Sequence, residues 1–162
     1  MQDTRVLKIY YGLIKEAYMA LWQFNSYIVP KQKVVIEEKL DEENILSWNM
    51  CNISLDKIDF LEKQVSWTED IVQYGKDNET CIQFLYEGGL VEEISCRFDL
   101  RSLSKKMLEQ ILDYINKIEG MIFYEGNIYS PSIEEIVELM KKSKANKFCQ
   151  NPTNYFEEMS DN

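Results

Sequence analysis

From Arg5 to Phe24 apolar residues recur at three- and four-residue spacing, through Val6, Ile9, Tyr10, Leu13, Ile14, Ala17, Leu21 and Phe24. That period predicts a helix, with Asp3 or Thr4 as its cap. Leu7, Tyr18, Ala20 and Trp22 widen the apolar arc and leave Lys8, Gly12, Lys15, Glu16 and Gln23 as a narrow polar strip, so the helix is expected to be buried on more than one side. A strand through Val6–Tyr11, ended by Gly12, is the alternative. Pro30 closes this unit. Val34-Val35-Ile36 reads as a short strand running into the acidic stretch 37–43. Ser54 is placed to cap a helix covering Leu55, Ile58, Leu61 and Val65, and Trp67 to Gly75 reads as an irregular or helical connection.

The second half has sharper punctuation. Thr80–Tyr86 and Leu90–Leu100 are strand-like runs around Glu87-Gly88-Gly89, a hairpin signal. A three-residue loop would pair Tyr86 with Leu90, Phe84 with Glu92 and Ile82 with Ile94, which places Ile82, Phe84, Tyr86, Leu90, Ile94, Cys96 and Phe98 on one face. A two-residue Gly-Gly loop would set Cys81 opposite Cys96 but scatter the apolar residues, so burial argues against a disulfide there, and Cys81 is expected on the outward face. A helix follows from about Leu103 to Glu119, with Met107, Leu108, Ile111, Leu112, Ile115 and Ile118 inward and Gly120 as its C′ residue. Met121–Tyr124 reads as a strand, Glu125-Gly126-Asn127 as a turn and Ile128-Tyr129 as a returning edge. Ser132 and Glu135 form a capping box for a last helix with Ile133, Ile136, Val137 and Met140 inward and Lys141, Lys142, Lys144 and Lys147 near its negative end. After Asn151-Pro152, Tyr155-Phe156 are expected to pin a short tail to the body.

Strand, strand, helix, strand, helix predicts an α+β fold. Its sheet is antiparallel-rich with helices packed on one face, and the C-terminal half has ferredoxin-like or split-βαβ character. At 162 residues the chain fits a single domain, with an N-terminal portion 1–78, a hairpin–helix–strand–helix portion 79–150 and a tail 151–162.

Charge changes the picture. The net charge is −10, and residues 34–99 hold five basic against sixteen acidic side chains, a net −11. Such a field repels phosphate backbones and favours basic protein partners, so nucleic acid is not an expected ligand. Met1-Gln2-Asp3-Thr4 lacks a basic leader and Lys8 and Lys15 interrupt the apolar run after it, so neither an export signal nor a membrane span is expected. Cys51, Cys81, Cys96 and Cys149 are widely separated, and reduced thiols in a cytoplasm are the expected state.

With no histidine, the chain lacks the side chain best suited to proton transfer near neutral pH and the commonest imidazole ligand. There is no P-loop, no G-x-G-x-x-G and no G-x-S-x-G, so no catalytic residue, metal or cofactor is assigned. Glu37, Glu38, Asp41, Glu42 and Glu43, with Glu87 and Glu93 on the hairpin, are the candidate contacts for a basic partner. Tyr10, Tyr11, Tyr18 and Trp22 could serve as core, as a homodimer seam or as the anchor of a foreign partner. Cys81, with no base or cationic cluster beside it in sequence, reads as an inert thiol.

The run Glu92-Glu93-Ile94-Ser95-Cys96-Arg97-Phe98-Asp99-Leu100-Arg101, then a helix, a short strand, Ser130-Pro131, a second helix and Phe148-Cys149-Gln150-Asn151-Pro152, resembles small bacterial immunity proteins encoded beside secreted toxins. The likeness covers about residues 80–156. It implies a cytoplasmic protein that binds and blocks a cognate toxin, and it transfers no functional residue. The alternatives are a self-associating regulatory or structural module, a DNA mimic whose carboxylates imitate phosphates, and an enzyme working through carboxylates alone.

Overall fold

The computed structural model describes residues 20–34, 45–51, 58–66 and 68–153. Among these residues seven strands form one sheet: β1 (Gln23–Pro30), β2 (Lys63–Gln64), β3 (Ile71–Tyr74), β4 (Cys81–Glu87), β5 (Leu90–Asp99), β6 (Gly120–Tyr124) and β7 (Asn127–Tyr129). Their spatial order is β2-β3-β4-β5-β1-β6-β7, and every neighbouring pair is antiparallel. Three helices follow the hairpin, α1 (Lys105–Lys117), α2 (Ile133–Lys142) and α3 (Lys144–Gln150). Because β1 runs antiparallel to both β5 and β6, those two strands are parallel to each other with β1 between them. The segment β5–α1–β6 is therefore a split βαβ unit, and the fold is α+β as the pattern predicted. Strands from both sides of residue 79 share the sheet.

The core lies between the helices and one sheet face. Phe24, Ile28, Ile82, Phe84, Ile94, Cys96, Phe98 and Ile122 meet Leu108, Ile111, Leu112, Ile115, Ile118, Ile136 and Met140, all buried. The predicted inward residues of α1 and α2 point inward. Ser104 caps α1 by accepting from Met107 N at 3.1 Å. Ser132 Oγ accepts from Glu135 N at 3.4 Å, and Glu135 Oε2 in turn accepts from Ser130 N at 2.7 Å, two residues upstream of the donor in a standard capping box.

Several expectations are corrected. Most of the predicted first helix lies outside the described residues, as do Tyr10, Tyr11 and Tyr18, but its end is not helical: Ala20 to Trp22 turn, and Gln23–Pro30 is the central strand. β1 pairs at six positions with β5 and at four with β6, and those ladders override the local helical spacing. The predicted strand at Val34-Val35-Ile36 also falls largely outside, with only the extended Val34 described. Ile58 to Leu61 is irregular, although Ile58 and Leu61 still pack on the core, while Val65 is fully exposed. The connection before Gly75 contains β3, which alternates Ile71 and Gln73 on one face with Val72 and Tyr74 on the other.

The hairpin register also differs. Gly88 and Gly89, both at positive φ, form a two-residue turn that pairs Glu87 with Leu90 and Tyr86 with Val91. A bulge between Leu85 and Tyr86 then shifts the ladder by one, giving Phe84↔Ile94, Ile82↔Cys96 and Cys81↔Arg97. Turn and bulge together restore the parity that burial demanded, so Ile82, Phe84, Ile94, Cys96 and Phe98 do share the core face, while Leu90 is left exposed at the tip. Cys81 lies on the opposite face, yet it is fully buried, and none of the four cysteines forms a disulfide.

At the end of α1 the left-handed residue is Glu119, φ 55°, and not Gly120. Gly120 is instead required by close packing: a Cβ there would come within 2.8 Å of Ile28 Cγ2 and 3.1 Å of Ile115 Cγ2. The last predicted helix is broken at Ser143, whose hydroxyl donates to Met140 O at 2.6 Å and accepts from Asn146 N at 3.2 Å. Lys141 and Lys142 close α2, whereas Lys144 and Lys147 belong to α3. Tyr155 and Phe156 lie outside the described residues.

Candidate functional site

The sheet face opposite the helices is polar and buried: Gln23, Gln73, Gln83, Ser95 and Arg97 are each more than nine-tenths inaccessible. Buried polar groups persist where they are hydrogen-bonded, and here the partners converge on one loop. Gln83 Nε2 donates to Gln73 Oε1 at 2.6 Å, and Gln73 Nε2 donates to Gly75 O at 2.8 Å. Gly75, φ 84°, starts the β3–β4 loop, and a Cβ at this position would lie 2.2 Å from Thr80 O, so only glycine closes it.

Beyond Gly75 the main chain of the loop is held by side chains from β1, β5 and their ends. Gln23 Nε2 donates to Asp77 O at 2.8 Å and to Glu79 O at 2.6 Å. Trp22 Nε1 donates to Asn78 O at 2.8 Å, and Arg101 Nη2 reaches the same oxygen at 3.1 Å. Arg97 Nη1 donates to Asp77 O at 3.4 Å, its Nη2 lies 3.9 Å from Asp77 Oδ1, and Thr80 Oγ1 accepts from Asp99 N at 2.9 Å. Four side chains thus consume the carbonyls of three consecutive residues. The side chains of Lys76, Asp77, Asn78 and Glu79 project into solvent from this fixed backbone, with the Asp77 side chain 76% exposed.

Beside the loop, Arg101 stacks on Trp22 with its guanidinium carbon 3.9 Å from the ring centroid, and Phe148 of α3 lies 6.4 Å from the same ring. Arg101 also clasps the buried Asp99 through both carboxylate oxygens, at 3.0 and 2.9 Å. Burial pushes the Asp99 carboxyl upward, but the hydrogen bonds and charge of Arg101, with a bond from Ser102, outweigh it and leave the group below its ordinary value. Those same bonds raise Arg101. Leu21, 41% exposed, adjoins Trp22 in the chain. Tryptophan and arginine on a rigid support are residue types that carry protein-binding energy.

This arrangement is not built for a cation, because the loop carbonyls already accept from guanidinium, indole and amide donors and two arginines stand behind them. Among the described residues no group of three or more cysteine, aspartate or glutamate side chains is placed to hold a metal. Two of the thiols are shifted toward their protonated form. Burial, with the neighbouring Cys81, raises Cys96 well above the usual thiol value against the pull of Arg97, and burial with Asp99 raises Cys149 against Arg101.

Of the sequence-predicted contacts, Glu37, Glu38, Asp41, Glu42 and Glu43 lie outside the described residues. Glu87 and Glu93 are half-buried on the hairpin, Glu87 across the turn from Leu90 and Glu93 opposite Leu85, so neither projects freely. Glu92 is engaged by Ser47, whose hydroxyl donates to it at 2.6 Å, while Trp48 N donates to Glu92 O at 3.0 Å and carries the chain on alongside β5 where β1 stops. Sequence reasoning missed Asp77, Asn78 and Glu79. The available signal was the turn composition of Gly75-Lys76-Asp77-Asn78, but the donors that bind the Asp77, Asn78 and Glu79 carbonyls lie twenty or more residues away on either side. No model of a known family, no curated protein and no solved structure matches the chain. No helix among the described residues is long and apolar enough to cross a membrane.

Proposed function

We propose that this chain is a protein-binding inhibitor of the immunity type, which neutralises a basic toxin by occupying it with a preformed acidic and aromatic surface. The observation that carries this reading is the β3–β4 loop, whose carbonyls are bound by Gln23, Trp22, Arg97 and Arg101 while the side chains of Asp77, Asn78 and Glu79 are exposed. A loop already fixed in one conformation loses little entropy on association, so its contacts count toward affinity. Asp77 and Glu79 add to the negative field of the whole chain and would speed the approach of a basic partner. Trp22 and Arg101 supply a partly exposed centre around which such an interface can exclude water.

The test is capture of the tagged chain from its source cells, with identification of what stays bound after a moderate salt wash. A single stoichiometric partner is expected, basic, toxic when produced alone and silenced by this chain. Replacing both Asp77 and Glu79 with lysine should then slow association by about tenfold at low salt, with a smaller effect at high salt. If the chain comes out alone from cells that make the toxin, the reading fails. If the charge reversal leaves association unchanged, this loop is not the contact.

A further inference from the structure

The β1–β6 ladder ends at Tyr27↔Phe123, although β1 continues to Gln23 in unbroken register with β5. The two strands part around α3, whose Ala145 is buried, and leave a cleft of about 230 Å³. Asn25, Tyr27, Phe123, Glu125 and Lys144 are among its lining residues. Phe24 and Tyr124, stacked at 4.4 Å, close it on the core side.

The direction of the main-chain groups in β1 follows from bonds at its two ends. Leu100 N donates to Trp22 O, so Trp22, Phe24, Ser26 and Ile28 turn their N–H and C=O toward β5. Lys31 N donates to Glu119 O, so Val29 and Tyr27 turn theirs toward β6, and Asn25 follows the same alternation. By residue 25 the β6 ladder has ended. Among the described residues, Asn25 N–H and C=O therefore face the cleft with no strand to pair with, and its side-chain Oδ1 is buried without a hydrogen-bond partner. An unmet donor and acceptor on one strand residue are costly to bury, and an added strand satisfies both at once.

We propose that this cleft is a docking site for one extended residue of a partner protein, which completes the interrupted ladder by exchanging two main-chain hydrogen bonds with Asn25. The volume decides against a larger ligand: small-molecule and cofactor sites occupy roughly 300–1,000 Å³, and this one is smaller. The spacing of one donor and one acceptor on the same residue matches a peptide unit in an antiparallel pair, which is how extended peptides add to open sheet edges. Lys144 and Glu125, exposed at the lining, leave room for either sign of flanking side chain. The site does not depend on the loop surface described above.

The test uses the full chain labelled for amide detection. In the free protein the Asn25 amide should exchange at least tenfold faster than those of Phe24 and Ser26, despite its central position. An Ala-Val-Ala tripeptide blocked with acetyl and N-methylamide groups should shift the Asn25 resonance, and the analogue with an ester in place of the central amide should bind roughly three- to tenfold more weakly, having lost one donor. An Asn25 amide as protected as its neighbours would mean that the groups are already satisfied within this chain, which overturns the proposal. Absence of any shift at Asn25, or equal binding of amide and ester, overturns it as well. A shift at Asn25 that the ester weakens establishes the site.

Discussion

Replacing Gln23 with methionine keeps the length of the side chain and removes its hydrogen bonds, which isolates the contribution of the amide to the β3–β4 loop. Gln23 is 3% exposed and gives two bonds, at 2.8 and 2.6 Å, to the carbonyls of Asp77 and Glu79. A typical intramolecular hydrogen bond contributes about 0.5–1.5 kcal/mol net, so the pair is expected to contribute about 1–3 kcal/mol. For a chain of this length each kcal/mol moves the melting temperature by roughly 2–4 °C, so the variant should melt roughly 2–12 °C lower. Thermal unfolding followed by circular dichroism measures the stability, and amide exchange measures the loop. Exchange should rise at residues 76–80 and stay unchanged in α1 and α2, because the lost bonds restrain only the loop. A variant with wild-type melting and wild-type exchange in the loop would refute the view that these side chains hold it.

Three further outcomes follow from the structure. Gly120→Ala introduces a Cβ 2.8 Å from Ile28 Cγ2 without backbone strain, and should destabilise by about 1–2 kcal/mol in urea titration, the clash outweighing the smaller gain from a stiffer unfolded chain. Asp99, its carboxyl lowered in the folded state, contributes stability above the unfolded aspartate value of about 3.9 that is lost as pH falls through the lower folded value; Asp99→Asn should therefore flatten the acid limb of a stability–pH curve. A soluble thiol reagent should titrate Cys51 and Cys149 slowly in the native protein and Cys81 and Cys96 only after unfolding, since the last two are fully buried.

What could be read from the sequence follows from where local signals agree with tertiary ones. α1 and α2 were visible because their apolar period leads straight into the core and Ser132 is a cap, while the cap of α1, Ser104, lies inside the helix expected from about Leu103. The hairpin between β4 and β5 and the turn into β7 were visible because Gly88, Gly89 and Gly126 tolerate positive φ, although the three-residue loop expected at the hairpin is a two-residue one. β1 was not, because Gln23, Asn25 and Ser26 interrupt the apolar alternation; Gln23 is buried by bonds to a loop some fifty residues on, and Ser26, on the core face, by a bond to Cys96 O. The correct hairpin facing survived a wrong register, since two errors of one residue each cancel in parity. The candidate surface was hidden for a related reason. Its exposed residues look like any turn, and what distinguishes them is a set of donors brought from positions 22, 23, 97 and 101.

The place of β1 in the sheet sets a timetable for synthesis. This strand is the partner of both β5 and β6, yet about ninety residues separate Pro30 from Gly120 in the chain. At translation rates of about 5–20 residues per second, the strand waits roughly 5–20 s for its last neighbour to be made. Until Leu90–Asp99 is made, a segment with Phe24, Ile28 and Val29 has neither of its neighbouring strands, and one side stays open until Gly120–Tyr124 follows; these pairings are among the most distant in the fold. Productive folding is thus expected to finish only when Gly120–Tyr124 arrives, and the newly made chain to be most vulnerable to aggregation while its central strand has no neighbours.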